Sequence, residues 1–267
     1  MNDASPPATP FETGAVTHVG RMRQENEDSF VLRPEFGVWA VADGMGGHEN
    51  GALASGTLAA AVEGIGAATS APDLLARLER SVIDANADLR RQSRKRGGVA
   101  MGSTLAALLV HERNFACVWS GDSRVYLVRG GQILQLSRDH TEVQDLVDRG
   151  LLSPDEARRS PRRHVITRAI GVHDMPELDL DTGELEDGDI FVLCSDGLTG
   201  HVSDPEILAA VNGQGAQAAC DALLALTLER GAADNVTVII VRHRATAVDD
   251  GSTVWLPNRR QARSGAP

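Results

Sequence analysis

Val38-Trp39-Ala40-Val41-Ala42-Asp43-Gly44-Met45-Gly46-Gly47-His48 runs an unbroken apolar segment into an aspartate and then into a glycine-rich loop. A short apolar run bounded by glycines reads as a buried strand. Glycines just beyond it allow positive φ and close approach of backbone to a ligand. Asp43 at that junction is either a turn residue, since Asp-Gly is a common turn pair, or a carboxylate on a rigid element aimed into a site.

The same grammar recurs. Ile190-Phe191-Val192-Leu193-Cys194-Ser195-Asp196-Gly197 is an apolar run ending in Asp-Gly, and Phe115 to Asp122 ends in Ser120-Gly121-Asp122. Asp234-Asn235 leads into Val236–Val241, and Glu27-Asp28 opens Ser29-Phe30-Val31-Leu32. Carboxylates gathered at the ends of buried strands repel one another and lose hydration unless cations neutralise them. An oxygen-only donor set favours Mg²⁺ or Mn²⁺ over zinc.

Arg23-Gln24-Glu25-Asn26-Glu27-Asp28, Asp43-Gly44-Met45-Gly46-Gly47-His48, Gly102-Ser103-Thr104, Gly121-Asp122-Ser123-Arg124, Ser195-Asp196-Gly197 and Asp234-Asn235-Val236-Thr237 occur in this order. The series resembles the metal-dependent serine/threonine phosphatases of the PP2C (PPM) family in their compact bacterial form, from about Thr13 to about His243. The resemblance implies an α/β/β/α sandwich, two antiparallel sheets flanked by helices with the acids at one end. It implies hydrolysis of phosphoserine and phosphothreonine in proteins by a water bridging two Mn²⁺ or Mg²⁺ ions, in opposition to a Ser/Thr kinase.

Carried over by residue, Asp43 would bridge both metals and the Gly44 carbonyl would bind the second. Asp196 and Asp234 would complete the first metal's shell, and Glu27 would act at the second, partly through water. Asp28 would be a neighbouring acid one layer out, because adjacent strand side chains face opposite ways. Asp122 with Asp196 would hold a third, weaker ion, or else cap the turn into Ser123-Arg124. Arg23 would clamp phosphate through its planar fork of donors, and Asn235 would shape the turn before the last strand. Many eukaryotic members place a histidine two residues after the bridging aspartate. Met45 stands there instead, so His48 is the candidate general acid, against a role as a loop residue ahead of the next helix. His18, His140, His164 and His201 carry no metal-ligand spacing and read as structural.

Composition is ordinary for a soluble globular protein. The chain has 267 residues, 42% hydrophobic and 24% charged, with a formal net charge of -11. That charge argues against nucleic acid as a partner, and no apolar stretch reaches the roughly 20 residues of a membrane helix. Cys117, Cys194 and Cys220 lack paired spacing and read as reduced core residues. With no signal-peptide pattern at the start, a cytoplasmic monomer is the expectation.

Helix and strand blocks are segregated rather than alternating, which predicts α+β. Residues 1–12 and 246–267 read as disordered tails around a phosphatase-like domain at 13–245. Within it, helices are expected at Asn50–Ile65 and Ala71–Arg94, the latter with Leu74, Leu75, Leu78, Val82, Ile83 and Leu89 at helical spacing. Residues 141–164 have low apolar density and a basic cluster, Arg158, Arg159, Arg162 and Arg163. They read as a surface insertion, and the family counterpart is a mobile flap beside the active site. A catalytically dead phosphoprotein-binding relative is disfavoured because every acid position is filled. A divalent-ion buffer is disfavoured because the acids lie far apart in sequence.

Overall fold

The computed structural model describes residues 10–47 and 49–244. Two antiparallel sheets pack face to face. The first runs in the order β1 (Phe11–His18), β11 (Val236–His243), β10 (Ile190–Cys194), β7 (Arg124–Arg129) and β8 (Gln132–Gln135). The second runs β2 (Asp28–Arg33), β3 (Val38–Met45), β5 (Leu105–His111), β6 (Asn114–Ser120) and β9 (Asp179–Glu184), with β4 (Gly102–Ser103) paired to the end of β3. Gly130 and Gly131, both at positive φ, close the β7–β8 hairpin in the conformation a tight primed turn needs.

The central strands are continuous apolar runs because both of their faces are covered. Along β3, Val38, Ala40 and Ala42 face α1 (Glu49–Glu63) and α2 (Ala71–Lys95), while Trp39 and Val41 face the opposing sheet. Along β10 and β11, Val192, Cys194, Val238 and Ile240 turn outward to α6 (Asp204–Val211) and α7 (Ala216–Glu229). Phe191, Leu193, Ile239 and Val241 meet Trp39 and Leu108 between the sheets. The result is the α/β/β/α sandwich, with three apolar layers fixing the spacing of four structural ones.

α2 starts at a Ser70 cap whose hydroxyl accepts from the Asp73 N–H at 3.2 Å, with Pro72 in the first turn. Its buried stripe is Leu74, Leu78, Val82, Ala85, Asn86 and Leu89, whereas Ile83 is exposed. Asn86 stands among apolar neighbours because its amide holds the loop after the flap: Oδ1 accepts from Gly171 N–H (2.7 Å) and Nδ2 donates to His173 O (3.1 Å).

Several boundaries differ from those expected. β1 begins at Phe11, inside the stretch read as a tail, and Phe11 and Glu12 pair with His243 and Arg242. Asp196-Gly197 opens a single helical turn, α5 (Asp196–Thr199), too short to carry a periodic signal. The flap forms α3 (Glu142–Asp148) and α4 (Pro154–Arg159), the latter started by a Ser153/Glu156 capping box. Residues 1–9 and 245–267 lie outside the described residues, as does His48.

Candidate metal centre

At one end of the sandwich a cleft of about 490 Å³ gathers residues from both sheets. Arg23, Glu27, Asp43, Gly44, Asp122, Asp196, Asp234 and Asn235 all line it, together with Arg163 and His164 from the flap. A larger neighbouring cleft, about 720 Å³, runs beneath the flap between α3, α4 and the α5–α6 segment. The two meet at Asp122, Asp196, Arg163 and His164. The acids converge in the smaller cleft.

Strand ends position each acid. Asp43 is fixed by Thr104: the Asp43 N–H donates to Thr104 Oγ1 (3.0 Å) and the Thr104 N–H donates to Asp43 O (2.8 Å). Thr104 Oγ1 also lies 2.7 Å from Ser123 Oγ, joining the Asp43 strand to the turn that carries Asp122. Glu27 packs against bare backbone. A Cβ on Gly51 would lie 2.0 Å from Glu27 Oε2, and one on Gly44 would lie 2.0 Å from Gly51 O. Gly51 thus leaves the gap that the Glu27 carboxylate fills, while Gly44 lets β3 approach the backbone at the start of α1, and only Gly44 had been singled out by sequence.

Asp28 sits one layer behind, paired in register with Asp43. Its Oδ2 accepts from Ser195 Oγ (2.8 Å) and Thr237 Oγ1 (2.7 Å), and its buried Oδ1 has no hydrogen-bond partner among the described residues. Glu27 lines the cleft and Asp28 does not, the alternation expected of a strand. Asn235 is a clip. Its Oδ1 accepts from the Glu27 N–H (2.8 Å), and its Nδ2 donates to Val19 O and Glu25 O (both 2.9 Å), tethering the loop of Arg23 and Glu27 to β11.

Electrostatics express the crowding. Burial pushes the Asp43 carboxyl well above the usual carboxylate range, and the charges of Asp28, Asp196, Asp122 and Asp234 push it further. Asp122 is raised in the same sense by burial, then by Asp196 and Asp139. Burial lifts Asp28 to about 7 despite the two hydroxyls that stabilise its charged form. Arg23 donates through Nη2 to Asp234 Oδ2 at 2.7 Å with half of its side chain exposed. One half-exposed pair offsets little of this repulsion. Hard oxygen donors and an excess of acids in one cleft fit divalent cations of the Mg²⁺/Mn²⁺ class.

One histidine departs from its structural reading. His164 Nδ1 lies 3.0 Å from Asp196 Oδ2, and ligand atoms of Asp122, His164 and Asp196 all fall within 4.8 Å of one another. His164 reaches the site by the path of the flap, a long-range placement with no local sequence signal. His18 and His201 do serve backbone, accepting from Gly20 N–H (2.9 Å) and Ala233 N–H (3.1 Å). Among the flap arginines, Arg158 pairs with Asp155 and lines the larger cleft, Arg162 pairs with Glu142, and Arg163 lines both clefts. Arg159 is exposed and lines neither.

A family model described as Protein phosphatase 2C matches residues 18–232. Serine/threonine protein phosphatase PstP of Mycobacterium tuberculosis is 39% identical over 222 residues, covering 83% of this chain and 43% of that protein, so the chain spans about two fifths of that relative's length. Protein phosphatase PhpP of Streptococcus pneumoniae is 32% identical over 239 residues, covering 86% of this chain and 97% of PhpP. The crystal structure of the PstP catalytic domain in complex with two manganese ions matches with a TM-score of 0.79 at 36% identity, covering 87% of this chain and 97% of that one. The ordered blocks, the sandwich and these matches agree: the chain belongs to the protein phosphatase 2C family.

Proposed function

We propose that the protein hydrolyses phosphoserine and phosphothreonine in protein substrates and opposes a Ser/Thr protein kinase. The convergence of Glu27, Asp43, Asp122, Asp196 and Asp234 with Arg23 in one cleft carries this reading. Two Mn²⁺ or Mg²⁺ ions held there would supply a water of lowered pKa and positive charge to offset that building on the phosphoryl oxygens. Asp43, the Gly44 carbonyl, Asp196 and Asp234 are the residues we assign to hold that pair, with Glu27 at its edge. Asp122 and Asp196 suit a weaker third ion.

Arg23 spends one N–H on Asp234 and keeps its other donors for two phosphate oxygens. Asp28 holds Ser195 and Thr237 in place, which fixes the strand ends bearing Asp196 and Asp234. The cysteines take no part: all are buried and unpaired, and burial pushes the thiols of Cys194 and Cys220 up to about 12. Arg163, at the junction of the clefts, is placed to meet chain flanking a phosphorylated residue. Hydrolysis of p-nitrophenyl phosphate and of a phosphothreonine peptide, each with and without Mn²⁺, tests the proposal. No Mn²⁺-dependent turnover on either substrate would reject it.

A further inference from the structure

α2 outlasts the core it packs on. Its last buried residue is Leu89, yet the helix runs on to Lys95, and nothing from Arg90 to Ala100 is buried. The overhang reads Arg90-Arg91-Gln92-Ser93-Arg94-Lys95-Arg96, five cations in seven positions with no acid among them. A helix C-terminus favours a cation or two in its last turn. Five, on a chain of formal net charge -11, exceed that need. Arg90 pairs with Asp174 and Arg91 with Asp88. Among the described residues, Arg94, Lys95 and Arg96 meet no acid, so three positive charges stand uncompensated on an exposed helix end.

The overhang is fastened beside the metal cleft. The Arg96 N–H donates to Gln92 O (3.1 Å), and the Gly98 N–H donates to Ser93 O (2.9 Å). Gly97 and Gly98, at φ 79° and 83°, reverse the chain along a left-handed path closed to most side chains. Ser93 Oγ then donates to Val99 O at 2.7 Å, folding the returning chain back on the helix. Ala100 lies against the Gly46 backbone: a Cβ on Gly46 would stand 2.5 Å from Ala100 O. Gly46 and Gly47 line the cleft. Arg96 Nη1 donates to Asn50 Oδ1 (3.2 Å) in the first turn of α1. The cations therefore border the rim that the Gly46-Gly47 loop forms. Asn50 is seven residues from Asp43. At about 3.4 Å per residue, a peptide seated in the cleft reaches the Asn50 end of the strip with about eight extended residues or fewer.

We propose, resting on the phosphoprotein-hydrolase reading above, that this end of α2 is a docking surface for an acidic segment flanking the phosphorylated residue of the substrate. Arg94, Lys95 and Arg96 are its contacts. The acids of the cleft repel an anionic chain, and a cationic strip at the rim counters that by drawing acidic segments toward it. The guanidinium forks of Arg94 and Arg96 match carboxylates, and Lys95 adds a point charge between them. None of the three lines the cleft, so the strip selects among substrates and leaves the chemical step alone.

The test gives the full chain p-nitrophenyl phosphate and three phosphothreonine peptides, flanked on both sides by Asp/Glu, by Ser/Gly or by Lys. Wild type should show a KM for the acidic peptide about tenfold below that for the neutral one, with similar kcat. Each exposed charge pair contributes a few-fold at most, and three together reach about that factor. The double variant Arg94→Glu/Lys95→Glu should lose this preference and take the basic peptide with the lowest KM. Its p-nitrophenyl phosphate turnover should equal that of wild type. Both residues are exposed and face no partner that a glutamate would disturb, and the circular dichroism spectrum checks the fold. Raising the ionic strength to about 1 M should bring the wild-type KM values together, because screening then acts within about 3 Å. Fluorescence anisotropy of the labelled acidic phosphopeptide on EDTA-treated protein reads docking apart from hydrolysis, and the double variant should bind it several-fold more weakly.

Equal KM values for the acidic and neutral peptides in wild type would overturn the proposal, as would a double variant that keeps the wild-type preference. Parallel loss of p-nitrophenyl phosphate and peptide turnover in the variant would make the helix end a support for the Gly46 loop and also overturn it. Retention of wild type on phosphatidylserine vesicles, abolished in the variant while its peptide KM values stay unchanged, would assign the strip to an anionic membrane surface instead. Absence of Mn²⁺-dependent turnover on every substrate would sink the phosphatase reading by itself. Anisotropy would then decide the strip: binding lost in the variant would leave an acid-docking surface standing, and equal binding would remove it.

Discussion

Replacing Asp28 with asparagine should stabilise the metal-free protein in alkaline solution and weaken that gain in acid. Asp28 is buried, accepts two hydroxyl hydrogen bonds through Oδ2 and leaves Oδ1 without a partner. Its pKa stands at about 7, against an ordinary 3.8. At about 1.4 kcal/mol per tenfold change in proton affinity, the charged form is penalised by about 4 kcal/mol. The folded state binds more protons than the unfolded chain between those values. Stability is therefore full below about pH 4 and falls as pH rises to about 7. Most of the loss, on the order of 3 kcal/mol, develops between pH 5 and pH 8.

Asparagine does not ionise, and its Oδ1 can take over both hydroxyl bonds. Its amide then meets the environment that left the carboxylate oxygen unpartnered, at a cost of about 1–3 kcal/mol that does not vary with pH. Urea unfolding of EDTA-treated wild type and Asp28→Asn at pH 5 and pH 8 isolates the pH-dependent part. The variant should gain on the order of 3 kcal/mol relative to wild type between the two conditions. Saturating Mn²⁺ should shrink that gain, because bound cations offset the same repulsion. A stability difference equal at both pH values would show that Asp28 is not strained by charge, and the argument would fail.

Activity should vanish with EDTA and survive iodoacetamide, because the thiols are buried with raised pKa values; loss on alkylation of folded protein would contradict a water nucleophile. Asp43→Asn and Asp196→Asn should each lower kcat by several orders of magnitude with the circular dichroism spectrum unchanged, since each removes charge from a site worth several kcal/mol of transition-state stabilisation. Arg23→Ala should mainly raise KM for phosphopeptide; unchanged kcat and KM would leave Arg23 as a surface partner of Asp234. Gly44→Ala should fail to fold or lose about 3 kcal/mol or more, because its Cβ would meet Gly51 O at 2.0 Å in packed backbone; a wild-type melting temperature would contradict the close approach of β3 to the start of α1.

Much of the site was legible because its acids stand at the ends of strands buried on both faces. Such strands leave unbroken runs like Val38–Ala42 and Ile190–Cys194, and a charged residue ending each run is conspicuous. The supporting polar contacts were not legible. Thr104, Ser195 and Thr237 hold Asp43 and Asp28 through hydroxyls whose types are ordinary for strands. Arg23 meets Asp234 across 211 positions, and His164 meets Asp196 across 32. Periodicity reports which face of an element is buried, not which remote element covers it. For the same reason α2 was readable as a helix while the partner of its buried Asn86 was not.

The acids also reach the cleft from opposite halves of the sandwich. Asp43 comes from the second sheet, Asp196 and Asp234 from the ends of β10 and β11 in the first, and Asp122 from the turn by which the chain passes from β6 to β7, between sheets. Their mutual repulsion therefore acts to part the sheets at this end. The layer of Trp39, Leu108, Phe191, Leu193 and Ile239 between the sheets resists it. A cation bridging acids of both sheets would remove that repulsion and fasten the halves directly. Metal binding should then stabilise the whole fold rather than the cleft alone, raising the global unfolding free energy as RT ln(1 + [L]/Kd). Amide exchange of β10 and β11, measured with and without Mn²⁺, should slow together with β3. Slowing confined to the Asp43–Gly47 loop would mean that the repulsion is relieved locally and is not carried by the sheet interface.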